Sequence, residues 1–455
     1  MTSSELLLKV REHEPLSARD QRSLILLLCW PAILAQLSVT VMQIIDASMV
    51  GHIGVHAGAA IGLVSSSTWL INGICSGCIF GFSVQASQAI GAQDFHRAQA
   101  VCRQGLIVLM IVGALIGLAG FSLAPFIPGW LGGDPSLHSD ASSYLAIFCA
   151  SLPLTLLNSW AVNMLQAAGD TKLPGLTQIA MCVLDVTFNY LFIFVLGLGV
   201  AGAALGTAAA TACAALFLSW RLLFYNPFLK GKTKPGFTRQ SLTAAVRIGL
   251  PISFAQLISG SSYVMYTRIV SPLGPVSIAA NSFAVTAESL CYMPGYGCGS
   301  AATAIIGQCT GAGRPELTRE IGWRITRIGI AMMSVSGVVL FIAAPWMMKI
   351  LTPDAEVIAL GSFILRMEAF AEPMYGASIV ADGVLRGAGD TFWPACLNFL
   401  SIWCIRIPLC AILCQHFGLV GGWMGMGIEL NMRGIFFLLR LRHTLNRTKQ
   451  TQPAL

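Results

Sequence analysis

The stretch Ala167-Ala168-Gly169-Asp170-Thr171 returns 220 residues later as Gly387-Ala388-Gly389-Asp390-Thr391. The same offset joins Pro31 to Pro251, Ala35-Gln36-Leu37 to Ala255-Gln256-Leu257, Gly54 to Gly274, Gly91-Ala92 to Gly311-Ala312, and Gly202 to Gly422. One offset held over nearly the whole chain means two copies of one design. A unit this long is far beyond the roughly 20–50 residues of a solenoid repeat. It is the scale of duplication from which many secondary transporters are built.

Composition says what surrounds the two copies. Of 455 residues, 55% are hydrophobic and 10% charged, against about 25% charged in an ordinary soluble domain. Mean hydropathy is +0.73. The chain therefore reads as an all-α polytopic membrane protein. A span needs about 20 mostly apolar residues. Twelve candidates fit, at 24–49, 57–81, 101–124, 141–165, 176–196, 200–224, 245–270, 278–306, 324–345, 357–385, 395–415 and 419–441. Six plus six agrees with the repeat and predicts two pseudo-symmetric six-helix lobes. The expected divisions are a cytoplasmic tail at 1–23, an N-lobe at 24–224, a linker at 225–243, a C-lobe at 244–441 and a cytoplasmic tail at 442–455.

Lysine and arginine set the orientation. Most of the 27 basic residues fall in the two tails and in alternate loops, with Lys349 the clearest exception. This bias places both termini in the cytoplasm. Each half then returns to its starting side, so the halves are parallel repeats about an axis along the membrane normal. The net charge of +7 does not indicate nucleic acid, because the basic residues cap apolar segments and form no basic domain. Residues 1–20 are polar and charged, without the apolar core of a secretory signal. Gly231-Lys232-Thr233 lacks the upstream glycine and the preceding strand of a phosphate loop. With no nucleotide site in view, active transport has to draw on an ion gradient. Cys75 and Cys78 form a CxxC by spacing, but inside an apolar segment free cysteines serve as small packing residues. No metal site and no cofactor are expected.

Several motifs now resemble those of the multidrug and toxic compound extrusion (MATE) family. Span 1 opens with Pro31-Ala-Ile-Leu-Ala-Gln36 and closes with Asp46-Ala-Ser-Met-Val-Gly51-His-Ile-Gly54. Span 8 closes with Gly307-Gln308-Cys-Thr-Gly311-Ala-Gly313. Gly199-Val-Ala-Gly202-Ala-Ala before it and Leu385-Arg386-Gly387-Ala-Gly389-Asp390-Thr391 after it complete the set. The resemblance runs from about residue 24 to 441. It implies a bacterial-type exporter of small organic cations or drugs in the inner (plasma) membrane. Two lobes flank a cleft, and H+ or Na+ is the coupling ion. A monomer is expected.

Charge inside a bilayer is costly and usually functional. Asp46 lies near the outer end of span 1, and Asp185 and Asn189 are one turn apart on span 5. In the family's proton-coupled branch, an aspartate on span 1 joins an Asn-x-x-x-Asp pair on span 5. Here the pair is inverted, with Asn189 at the position of the family's aspartate. Asp46, Asp185 and Asn189 are therefore the expected ion-coupling site. Two carboxylates in one desolvated site do not both stay ionised, so such a site exchanges protons against cations. The alternative for Asp46 is a helix-end hydrogen bond close to Gly51.

The second half carries Glu288, Glu368, Glu372, Asp382 and Glu429, with Arg268, Arg366 and Arg406. Sodium-coupled members place carboxylates on spans 7 and 10, at positions that hold Ser259 and Tyr375 here. Protons are favoured over sodium on that ground. Glu288, Glu368 and Glu372 are second choices for an ion or substrate site, with helix-fixing ion pairs as the alternative. Gln36, Trp69, Asn158, Asn163, Gln256, Tyr263, Tyr292 and Tyr375 are expected to line the substrate cavity, since cations favour aromatic faces. For the aromatics, the alternative is an interfacial belt or plain packing. Pro31 and Pro251, at matching places in spans 1 and 7, are the expected hinges. The functional expectation is cation-coupled efflux by alternating access. Two further readings stay open. One is a flippase for lipid-linked saccharides of the same superfamily, kept open by the arginines. The other is an exporter of one specific metabolite. No His–carboxylate spacing suits an enzyme.

Overall fold

A computed structural model describes residues 2–131, 134–229 and 239–447, without the side chains of residues 55 and 447. The basic part of the expected linker, 230–238, and the tail residues 448–455 lie outside the described residues. Fifteen α-helices run in order: α1 (Ser3–Arg11), α2 (Ala18–Ile53), α3 (Val55–Gly91), α4 (Phe95–Leu123), α5 (Ile127–Trp130), α6 (His138–Ala167), α7 (Lys172–Tyr190), α8 (Gly199–Tyr225), α9 (Arg239–Val270), α10 (Pro275–Gly311), α11 (Pro315–Leu351), α12 (Ala355–Glu368), α13 (Glu372–Gly387), α14 (Phe392–Phe399) and α15 (Ile407–Arg447). Two π-helical stretches, Leu191–Val195 and Leu400–Arg406, continue α7 and join α14 to α15.

Nine segments among the described residues are long and apolar enough to cross a membrane. One of them, Phe392–Asn446, holds two spans, because Gly418 breaks α15 with φ 61° and ψ −143°, a conformation open to glycine. The remaining two of the twelve expected spans are α10 and the pair α12 and α13. Span 10 was expected as one helix over 357–385; instead it is interrupted at 369–371. Pro373 sits in the first turn of α13 and has no N–H to donate back across the gap. Glu368 ends one half of this broken span and Glu372 begins the other.

The duplication is visible in the backbone. Positive φ recurs at Gly54 and Gly274, at Gln93 and Gly313, and at Gly169 (90°) and Gly389 (88°), each pair 220 residues apart. Ala168 and Ala388 share φ −74° and ψ −7°.

Two compact units divide the chain, Met1–Gln36 with Phe254–Leu455, and Leu37–Ser253. Both boundaries fall inside helices, α2 and α9, a few residues beyond Pro31 and Pro251. The second unit is built on the end of α2, on α3 to α8 and on the start of α9. Phe82, Leu109, Leu152 and Trp160 fill its largest core cluster. A Cβ on Gly77 would overlap the carbonyl of Gly249 and the Ser253 hydroxyl, so α9 lies directly on the α3 backbone. Ser253 also donates to the carbonyl of Ile74 at 2.8 Å.

The larger unit repeats the device at the symmetric glycine. A Cβ on Gly297 of α10 would come within 2.7 Å of the Cα and N of Ile33. The start of α2 is thus seated on α10, two residues past Pro31. Helix α1 joins this unit too. It is N-capped by Thr2 and Glu5, and Leu6, Leu7 and Val10 are buried. Arg11 donates to Gln308 Oε1 at 3.0 and 3.3 Å, and burial pushes the Arg11 pKa down to about 10. Arg314 closes the end of α1 by donating to the carbonyls of Lys9 and Glu14 at 3.1 and 2.9 Å.

These seats make a direct prediction. Gly77→Leu and Gly297→Leu should each destabilise the protein by about 1–3 kcal/mol or more, since the added side chain meets backbone that has nowhere to go. Gly260→Ala, with nothing within 4 Å of its Cβ, should be neutral or slightly stabilising. Thermal unfolding in detergent decides; three equal melting temperatures would remove the close-contact argument.

Candidate functional site

In the Leu37–Ser253 unit, α2 and α7 bring the predicted trio together. Asn189 Nδ2 donates to Asp46 Oδ1 at 2.8 Å and to Asp185 Oδ2 at 3.0 Å. Asp185 and Asn189 are fully buried and Asp46 is half-buried. The two carboxyl groups lie within hydrogen-bonding reach of each other, with Thr207 beside Asp185 and Tyr144 close to both acids. No arginine or lysine pairs with either aspartate among the described residues. Oδ1 of Asp185 and Oδ1 of Asn189 are buried without a hydrogen-bond partner.

Gly206 of α8 makes this arrangement possible. A Cβ there would overlap Asn189 Oδ1 and come within 2.9 Å of its Cγ. In the second half a Cβ on Gly425 would likewise crowd Cys410, at 2.9 Å from its Sγ and 3.0 Å from its N, so both copies have the close approach and only the first fills it with an amide. Sequence reading passed over Gly206 and Thr207. The available signal was a glycine one turn beyond Gly202, on the helix that follows the Asp-x-x-x-Asn pair. The π-helical stretch begins two residues after Asn189, a departure common at functional sites.

The larger unit holds a second, differently balanced cluster. Glu429 is fully buried. It accepts from Ser401 and from Arg406 at 2.8 and 2.9 Å. Arg433 Nε stands 3.2 Å from its other oxygen, close enough for an ion pair but not aligned as a hydrogen bond. Ser401 and Arg406 come from the second π-helical stretch. Around this pair lie Glu288, Glu368 and Glu372, all buried, within electrostatic reach of Glu429 or of one another. Glu368 Oε2 and both carboxyl oxygens of Glu372 have no hydrogen-bond partner. Tyr375 packs on Tyr292 with ring centres 5.6 Å apart, and the Arg433 guanidinium lies 5.4 Å over the Tyr375 ring. Of the two alternatives for the acidic residues here, ion pairing describes Glu429; the other three carboxyls make no ion pair among the described residues.

Of the predicted cavity residues, Tyr292 and Tyr375 meet. Trp69, Tyr263 and Gln256 are exposed, and Gln36 is half-buried. Asn158 is buried with its amide 4.0 Å from Met181 Sδ, and Asn163 bonds the carbonyl of Ser159 at 2.9 Å. The flippase reading leaned on Arg268, Arg366 and Arg406. Arg406 is neutralised by Glu429, Arg366 lies over the Phe341 ring and donates to its carbonyl, and Arg268 is exposed.

The model of one family, MatE, matches twice, over residues 31–191 and 251–412. The chain belongs to the MatE family. Its two matches reproduce the internal repeat. The chain is 24% identical over 410 residues to the probable multidrug resistance protein NorM of Thermotoga maritima, covering 87% of this chain and 86% of that one. It is 28% identical to the NorM protein of Xanthomonas campestris over 436 residues, covering 92% and 94%. It is 25% identical to the multidrug resistance protein MdtK of Yersinia pestis, covering 93% and 95%. Among solved structures, a MATE protein in a straight conformation superposes with a TM-score of 0.91 at 21% identity, covering 99% of this chain and all of that one. The Vibrio cholerae transporter VcmN in its bent form gives 0.86 at 21%, covering 99% of each. The fold is that of the MatE family: all-α, multi-pass and two-lobed.

The Glu429 cluster predicts an asymmetry in stability. Glu429→Gln strands two half-buried guanidinium groups beside a fully buried site and should cost about 3 kcal/mol. Glu372→Gln removes a carboxyl with no partner and should change stability by less than about 1 kcal/mol. Thermal unfolding of the two variants tests this; equal losses would show that Glu429 does not organise the cluster.

Proposed function

We propose that this protein exports small organic cations, drugs among them, across the inner membrane in exchange for a cation, with protons favoured over sodium. The observation that carries the reading is the Asp46–Asn189–Asp185 cluster. Two carboxyls that face each other away from any base hold at least one proton between them, or yield it when a cation arrives. Cation and proton then compete for one place, which is the requirement for exchange. The amide supports protons over sodium. Asn189 turns its N–H groups to the acids and not its oxygen, and a hard cation wants oxygens. At the positions where the family resemblance implies sodium ligands, Ser259 is bonded to the carbonyl of Ala255 at 3.0 Å and Tyr375 is packed in an aromatic group.

Access to the site alternates between the two sides, with Pro31 and Pro251 as hinges. The compact units end shortly after each proline, which supports a flexible point there. Both termini face the cytoplasm, in keeping with the loop charges. The relatives named for multidrug resistance support a broad substrate range.

The test uses purified protein in liposomes loaded with a fluorescent organic cation. An imposed pH gradient should drive efflux and a sodium gradient alone should not. Asp46→Asn, Asp185→Asn and Gly206→Ala should each lose at least about tenfold in proton-driven rate, the last because its Cβ displaces Asn189. Efflux driven by sodium would overturn the choice of ion. Coupling that survives in the aspartate variants would move the site to Glu288, Glu368 or Glu372. No cation movement under either gradient would overturn cation export, and inhibition by one metabolite alone would replace broad range with a dedicated exporter.

A further inference from the structure

Early in α11, residues at helical spacing form a stripe beside the start of α2. Arg324 and Arg327 from α11 and Arg22 from α2 line a cleft of about 450 Å³. Arg324 is held in place by donating to the carbonyl of Ala18 at 2.7 Å. Arg22 and Arg327 are exposed and make no ion pair or hydrogen bond among the described residues. The one acid in the cleft, Glu320, is engaged by the Gln21 amide at 2.9 Å and not by an arginine. The cleft therefore offers two unspent guanidinium groups and a third that is pre-oriented.

The chemistry changes along the stripe. Half-buried Trp323 stands beside Arg324, and the wall ends in Ile328 and Ala331, which lead into an apolar span with mean hydropathy 2.1 in its core window. From Glu320 to Ala331 is about 16 Å along a helix. A basic mouth, an aromatic at the level where indoles favour a membrane interface, and an apolar floor occur in that order. A soluble anion would use the mouth and gain nothing from the floor. A phospholipid uses both.

We propose that this cleft binds an anionic phospholipid, its headgroup phosphate held by Arg22, Arg324 and Arg327 and an acyl chain lying along Ile328 and Ala331. Guanidinium forks match phosphate oxygens in geometry as well as charge. Basic pockets between spans are an established means of holding anionic headgroups. Every residue invoked belongs to the larger compact unit, and the site is independent of the aspartate cluster and of any transport reading.

The experiment measures binding of the first lipid equivalents to delipidated full-length protein by native mass spectrometry. Phosphatidylglycerol is compared with phosphatidylcholine of the same acyl chains. Phosphatidylglycerol should bind at least tenfold more tightly. The double variant Arg22→Gln/Arg327→Gln should lose about 25-fold in affinity, near fivefold per arginine, with phosphatidylcholine unaffected. Its melting temperature without lipid should equal that of the wild type, because neither side chain bonds to protein. Arg319→Gln, outside the cleft, should bind like the wild type. Equal affinity for the two lipids, or no loss in the double variant, would overturn the site. Inorganic phosphate or glycerol phosphate displacing the lipid at comparable concentration would overturn the lipid assignment in favour of a phosphate site.

Discussion

Hydrocarbon cannot solvate charge, so a carboxyl group buried in a membrane protein must have a partner or a proton. The rest of this structure follows from how each carboxyl meets that condition. Asp382 pairs with Arg386, and Asp390 with Arg440 at 2.6 Å. Glu429 is clamped by two arginines and a serine. Asp46 and Asp185 have only an amide, a hydroxyl and each other. Glu368 and Glu372 have not even that, and they flank the one interruption in span 10. The first group fixes helices in place. The second group has no cation beside it among the described residues and ties no helix to another through charge.

The two copies share a backbone but divide this labour. Gly169 and Gly389 repeat each other's conformation within 2° in φ, yet the acids that follow them behave differently. Asp170 receives the Leu173 N–H at 3.0 Å, a local turn contact. Asp390 is held from outside by Arg440 and by Thr444 at 2.9 Å. Gly206 opens the space that Asn189 fills, while the matching close approach at Gly425 is filled by Cys410. Duplication supplied one scaffold, and single residues then placed an acid pair without a cation in one half and an arginine-clamped glutamate in the other.

Much of this was legible before any coordinates. The repeat offset located the paired helix prolines, the positive-φ glycines and the six-plus-six spans, because these are backbone properties that a motif records directly. Asp46, Asp185 and Asn189 were legible because carboxyl groups in apolar helices are rare. Three things were not. The break in span 10 was hidden because Glu368 to Pro373 reads as helix until the missing N–H of proline is placed opposite the carbonyls it leaves unpaired. Gly206 was one glycine among 46, and only its distance to Asn189 distinguishes it. The exposure of Trp69, Tyr263 and Gln256 was hidden because an aromatic or amide in an apolar run has the same spelling whether or not it packs against protein.

The seating of the first helix also constrains how the protein is made. Arg11 finds its partner 297 residues further along, and the start of α2 rests on Gly297. The α1 segment therefore leaves the ribosome 297 residues ahead of the partner that Arg11 binds. During that interval an apolar helix carrying Asp46 waits in the bilayer without the surface it was shaped for. Contact order of this kind slows maturation and leaves a long window for the insertion machinery or quality-control proteases to act. A substitution at Gly297 would reach back to the start of α2, and its effect would register in how much protein accumulates before it registered in how fast that protein works.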